Sequence, residues 1–356
     1  MRAEASHPGG HPPLAGGSPR EQFPKLVECI RGFRATYLAA AGVKLGLFEK
    51  IAASPGITAD QLAAALNLHA PYVLIWCRTA HALGFLEGDE AGRLRLAPGF
   101  EPILAEPASP WYYGGALGLT VDYEADDLAR LPEIFSSGKA VPFQARGREF
   151  SEQVGAATAG LHTLVAKKIL PEVPGLGDRL HRGLRALDVG CGCGGFLLAL
   201  ARQFPGGRYT GVDVDQRALT SARKAIKVAG VARRVKVKAA GADGFPMKGP
   251  FDLVTLVQVF HEIRPDARPA VLAECRRLIA ADGWLVILDE TYPSTWADLR
   301  RPENARPMLT AFSELAMGNV IPTREEQESL LAGAGFALRS RAAVGDGFTL
   351  LTVQPK

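Results

Sequence analysis

ALDVGCGCGG, residues 186–195, is a short apolar run that carries one acid, Asp188, and then breaks into glycines. Ala186, Leu187 and Val189 read as a buried strand, and Phe196 to Phe204 as the helix that follows. A strand that turns through glycines into a helix is the first step of a doubly wound α/β fold. The step repeats downstream. Strands are expected at Arg208–Val212, Val235–Lys238, Phe251–Val259, Trp284–Leu288, Phe336–Arg341 and Phe348–Val353. Helices are expected at Arg217–Val228, Arg268–Ile279 and Thr323–Ala334, the last opened by a Thr323/Glu326 capping box. Such alternation implies a Rossmann-like, mostly parallel sheet with helices on both faces. Ligands in these sheets sit outside the C-terminal strand ends.

Upstream the pattern is helical. Phe33, Tyr37, Leu38, Val43, Leu45 and Phe48 belong to one or two helices, broken near Gly42 and Gly46. A short helix follows Ile57, with Ser54 or Thr58 as its cap, and another opens at Ala70-Pro71 and runs to about Leu83. Phe85–Glu87 and Leu94–Leu96, around a glycine-containing turn, read as a hairpin. Helix, turn, helix and hairpin are the order of a winged helix. Its Tyr72–Leu83 helix offers only Arg78 and His81 to phosphate or base edges, so dimerisation is the expected use and DNA reading is disfavoured. The expected organisation is a disordered tail over 1–20, a winged-helix-like domain over 21–105, linker and pocket helices over 106–176, and a catalytic domain over 177–356. Pro171–Gly177 marks the last boundary.

The 356 residues are 47% hydrophobic, enough for two cores at ~150 residues per domain. Lys plus Arg number 41 against 37 Asp plus Glu, an excess too small and too evenly spread to argue for nucleic acid or a membrane surface. Five cysteines without paired CxxC motifs indicate neither a disulfide framework nor a zinc site. No apolar run reaches the ~18 residues of a membrane span, and the tail has no signal-peptide core. The expected setting is the cytoplasm, with no metal.

Gly190, Gly192 and Gly195 satisfy the dinucleotide pattern GxGxxG, so a dehydrogenase has to be weighed. Asp188 argues against it, because a carboxylate two residues before the first glycine would repel a pyrophosphate. It would welcome a cationic ligand without phosphate. Asp213 ends the second strand at the distance, about 20 residues, of an acid that takes ribose hydroxyls. Asp215 is its neighbouring candidate. Asp243, in the loop after the third strand, could accept an adenine amino group, with Phe245 flanking the ring.

Asp188 to Gly194, Gly211-Val212-Asp213, Ala242-Asp243, Phe251 to Val254 and Asp282 to Leu285 closely resemble, in order, the motifs of class I S-adenosylmethionine-dependent methyltransferases. Gly147–Phe150 and the helix ending at Leu170 are similar to the linker helices of small-molecule O-methyltransferases that carry an N-terminal winged helix. That resemblance implies S-adenosyl-L-methionine as cofactor, bound by Asp188, Gly190, Gly192, Gly194, Asp213, Asp243, Phe245 and Gln258. It also places Phe150 and the Thr158 region beside the cofactor, and implies a homodimer built by the N-terminal domain.

Methyl transfer from a sulfonium is a displacement with a good leaving group, so positioning does most of the work. A hydroxyl acceptor also gains from a base. The fourth strand ends in Gln258-Val259-Phe260-His261-Glu262-Ile263, which sets His261 at the C-terminal edge of the sheet. In the similar O-methyltransferases a His followed by an acid is the base, and His261-Glu262 matches, although Ile263 stands where the family has Trp. A structural or cofactor-contacting role is the alternative for His261. Glu290, after the fifth strand, could orient His261 or bind the acceptor, and Asp289 competes for that task. His162 is a weaker pocket candidate. The insertion Pro293–Ile321, with Met308, Leu309, Phe312, Leu315 and Met317, reads as core or as an apolar lid over the acceptor. Methylation of a small-molecule oxygen is the leading reading. Methylation of nitrogen, carbon or sulfur by positioning alone is the second, and a DNA-binding regulator the third.

Overall fold

The computed structural model describes residues 17–345 and 347–356, so most of the expected tail lies outside the described residues. The chain forms two compact units that divide between Ala97 and Pro98.

The first unit opens with the helix Pro19–Lys44, two residues inside the stretch assigned to the tail. Pro at the first helical position suits a start there, and Glu21 accepts the Ser18 N–H at 2.8 Å. The expected break at Gly42 does not occur. A side chain at Gly42 would come within 2.5 Å of Phe48 and Trp76, so this glycine serves close packing inside a continuous helix. The break falls at Gly46, where φ is +68° and the helix Leu47–Ala53 begins. Helices Ala59–Leu66 and Ala70–Ala82 and the antiparallel pair β1 (Leu86–Gly88) and β2 (Leu94–Leu96) follow in the expected order. Phe48, Ile51, Leu62, Ala80 and Leu86 are buried among them. Tyr72, Leu74 and Ile75 are exposed on the helix that would face DNA, and His81 Nδ1 is engaged with the Leu86 carbonyl at 2.9 Å. Along the first helix Phe23, Leu26, Ile30 and Phe33 are 66%, 67%, 54% and 59% exposed, a stripe at helical spacing.

The second unit is built on a seven-stranded sheet. Its strands are β3 (Arg185–Val189), β4 (Arg208–Asp213), β5 (Val235–Ala239), β6 (Phe251–Val257), β7 (Ile279–Glu290), β8 (Phe336–Val344) and β9 (Phe348–Pro355). Their order is β5-β4-β3-β6-β7-β9-β8, parallel from β5 to β7, with β9 antiparallel to both of its neighbours. Strand order reverses between β3 and β6, which opens a crevice at their carboxyl ends. β6 stops two residues earlier than expected, because Gln258 takes a left-handed φ of +56° that cannot continue a ladder. The helices Gly195–Gln203, Gln216–Val228, Arg268–Leu278 and Arg324–Gly333 match the expected ones, and Thr323 Oγ1 caps the last by accepting from the Glu326 N–H. Leu187, Leu253, Val254, Leu285 and Ile287 are fully buried in the sheet, as continuous apolar runs in parallel strands require.

The insertion before the capped helix forms the helix Ala305–Glu314. Its polarity runs against expectation. Leu309, Phe312 and Leu315 are exposed, whereas Glu314 is buried.

Candidate active site

A cavity of about 600 Å³ opens in the second unit at the carboxyl ends of β3 to β6. Asp188, Gly190, Gly192, Asp213, Phe245, Gln258 and Glu262 line it, as do Thr158 and His162. The glycine bend supplies the approach. Gly190 has φ +73°, and a side chain there would meet Val259 at 2.4 Å. At Gly192 a side chain would meet nothing within 4 Å, so the backbone is bared to whatever the cavity holds.

Asp188 is 3% exposed, and its Oδ1 accepts from Thr255 Oγ1 at 2.7 Å. Burial pushes its carboxyl up to about 7 despite that hydrogen bond. Asp213 accepts the Gly192 N–H at 2.7 Å and the Asp215 N–H at 2.8 Å, which fixes the glycine bend to the end of β4. Asp215 turns elsewhere. It caps the next helix through the Arg217 N–H and accepts from Ser151 Oγ at 2.7 Å. Gln258 Oε1 and His162 Nδ1 are buried without a hydrogen-bond partner, and both side chains line the cavity. Burial lowers His162 to about 4, so it stands neutral.

Three residues expected at the cofactor do not line the cavity. Phe150 is buried behind the cavity wall, with its ring 5.2 Å from Tyr123 and 5.1 Å from Phe143. Asp243 is exposed in its loop and does not line the cavity, although Ala240 to Ala242 and Phe245 do. Gly194 packs toward Ala222, and it is Gly195 that reaches the lining.

His261 is 6% exposed and does not itself line the cavity, although Val259 and Glu262 near it do. Its Nδ1 lies 2.6 Å from Asp289 Oδ1. Asp289 also accepts the backbone N–H of His261 at 3.2 Å and that of Glu290 at 2.7 Å. A carboxylate at Nδ1 fixes the tautomer and leaves Nε2 as the free base position. Nε2 lies 4.0 Å from Glu314, too far for a direct hydrogen bond. Burial pulls the imidazole down, but Asp289, Glu314 and Glu262 together hold it well above its ordinary value. Burial likewise raises Glu262 to about 8 and Glu290 to about 7. Glu290 accepts from Thr310 at 3.0 Å through one oxygen, while the other is buried without a partner. The histidine's orienting acid is therefore Asp289. Glu290 faces the inserted helix. Glu314 escaped the sequence reading; its one signal was an acid within the apolar run from Phe312 to Met317.

Cys191 and Cys193 also line the cavity. Burial holds the Cys193 thiol up at about 11, and its Sγ donates to the Ser151 carbonyl at 3.4 Å. Among the described residues no group of three His, Cys, Asp or Glu is placed to hold a metal ion.

A family model described as a methyltransferase domain matches residues 186–283. The chain is 28% identical over 283 residues to 3-hydroxy-5-methyl-1-naphthoate 3-O-methyltransferase of Streptomyces sahachiroi, covering 77% of this chain and 79% of that protein. It is 30% identical over 280 residues to aclacinomycin 10-hydroxylase RdmB of Streptomyces purpurascens, covering 74% and 71%. The solved structure of human N-acetylserotonin methyltransferase in complex with SAM superposes with a TM-score of 0.76 at 17% identity, over 96% of this chain and 99% of that one.

Proposed function

Since the chain belongs to the S-adenosylmethionine-dependent methyltransferases, we propose that it methylates a hydroxyl oxygen of a small apolar acceptor, with His261 as base. The cavity fits the cofactor on three counts. Gly192 leaves backbone bare, Asp188 is a buried carboxylate suited to a cation, and Gln258 Oε1 lacks a donor. Asp188, Asp213, Gln258 and the glycine bend would hold it. When bound, the cofactor supplies an electrophilic methyl carried on a sulfonium.

The His261–Asp289 pair carries the oxygen reading. As the acceptor oxygen attacks, its O–H bond breaks and the proton passes to His261 Nε2. Asp289 holds Nδ1–H and stabilises the imidazolium that forms. Glu314 and Glu262 add negative potential around it to the extent that they are ionised. We assign residues 21–105 to a winged-helix-like dimerisation domain, 106–176 to linker and pocket helices, and 177–356 to catalysis. The exposed stripe Phe23–Phe33 supports a homodimer. Cysteines at 77, 191 and 275 that are buried and free suit the reducing cytoplasm.

The test is incubation with methyl-labelled S-adenosylmethionine and a panel of phenolic, amine and thiol acceptors. Label on a phenolic oxygen, lost in His261→Ala, is the expected result. Full activity of that variant at every pH would remove the base. The resemblance to a protein named as a hydroxylase supplies the competing outcome, a product heavier by one oxygen in place of one CH2.

A further inference from the structure

One wall of the cavity is a strap without regular structure apart from the short turn Phe143–Ala145. It begins at Gly138, which ends a helix with φ +67°, and finishes at Gly147, where the helix Arg148–Leu164 starts. Ala140, Pro142, Phe143 and Gln144 of the strap line the cavity.

The strap is pinned at both ends. The Val141 N–H donates to the Ala316 carbonyl at 2.9 Å. At the other end Arg146 pairs with Asp127 at 2.6 Å and lies over the Phe150 ring, 4.6 Å from its centroid. Phe150, packed also against Phe143, is thus the floor on which the strap rests.

A further tie comes from the helix Gln216–Val228. The Arg217 guanidinium donates to the carbonyls of Gln144, at 3.5 Å, and Arg146. Arg217 lies in the first turn of the helix that starts just after Asp213, and its own N–H is held by Asp215. Arg217 therefore fastens the strap to the helix that follows β4, the strand whose last residue, Asp213, lines the cavity. A strap whose backbone groups are not paired in a ladder opens cheaply, so a charged donor on two of its carbonyls sets much of the cost of opening.

We propose that Arg217 is a clasp that holds the Gly138–Gly147 strap against the cofactor cavity and so sets how long the cofactor stays bound. This rests on the assignment of the cavity to S-adenosylmethionine. Arg217 is a positioning residue. It acts through the strap and touches no reacting atom.

The test uses the full chain with S-adenosylhomocysteine as probe, so no acceptor is needed. Stopped-flow binding and hydrogen exchange are compared for wild type, Arg217→Ala and Arg217→Lys. Arg217→Ala is expected to speed dissociation by about tenfold with little change in the association rate, which is about 1.4 kcal/mol of bound-state stability. Exchange across residues 139–146 should rise in the bound state. Arg217→Lys should recover part of the loss, since an ammonium can still donate to one carbonyl. Equal dissociation rates in wild type and Arg217→Ala would overturn the clasp while leaving the cofactor assignment intact. A wild-type chain that does not bind the probe would overturn both.

Discussion

At Asp188, burial and the charge of a bound ligand pull one carboxyl in opposite directions. Folding raises it from 3.8 to about 7, so the folded chain keeps a proton there that the unfolded chain gives up. The stability this confers is complete below about pH 4 and lost as pH rises through about 7. A cationic ligand favours the ionised form, so binding should release that proton. Cofactor affinity is therefore expected to rise by about tenfold between about pH 6 and about pH 8, and Asp188→Asn should flatten the rise. Calorimetry across that range checks it. At His261 the sign is set by its partners. The imidazole is held protonated above its ordinary 6.5, so methyl transfer should speed up as pH rises through a value higher than that. Asp289→Asn should move the inflection down and lower kcat by about 10²-fold, read from pH–rate profiles. Much of this site was legible. Asp188 and Asp213 could be placed because a strand end beside glycines leaves a side chain few directions. Phe150 and Asp243 could not, because a helix face and a loop turn are settled by packing that one sequence does not print.

Strands and helices of the sheet were readable because burial on both faces writes nearly continuous apolar runs, as in Leu253–Val257, broken only by Thr255. The misreadings have local causes. Gly42 looks like a helix breaker but makes room for Phe48 and Trp76. Gln258 ends β6 early through a backbone angle that composition does not reveal. The Ala305–Glu314 helix defeats periodicity in part, since Leu309 and Phe312 are exposed and Glu314 is buried, while Pro307 is buried and Met317 just beyond it lines the cavity. Two outcomes belong to this scale. Gly190→Ala adds a methyl 2.4 Å from Val259 at a left-handed φ, so it should deplete soluble protein and abolish cofactor binding. Thr323→Ala removes a cap remote from the cavity lining and should cost about 1 kcal/mol in denaturant unfolding.

For the whole molecule, the exposed stripe on the first helix is the feature that a solitary chain explains least. Phe23, Leu26, Ile30 and Phe33 lie on one face, with Tyr37 one turn further on at 39% exposure. Patches of this kind mark association sites. Ile30→Asp combined with Phe33→Asp is expected to halve the particle mass in light scattering. An unchanged mass would remove this face as the proposed dimer contact. The order of the sheet imposes a different demand. β9 is the last strand of the chain, yet it lies between β7 and β8. Until its residues leave the ribosome, the β7 edge that bears Leu285, Ile287 and Asp289 has no neighbour on that side. The nascent chain must therefore shield that edge from the completion of β7 at Glu290 until Phe348–Pro355 has been made. The Asp289 carboxylate, bound to the histidine on one side, gains its strand partner at Thr349 only when β9 has docked.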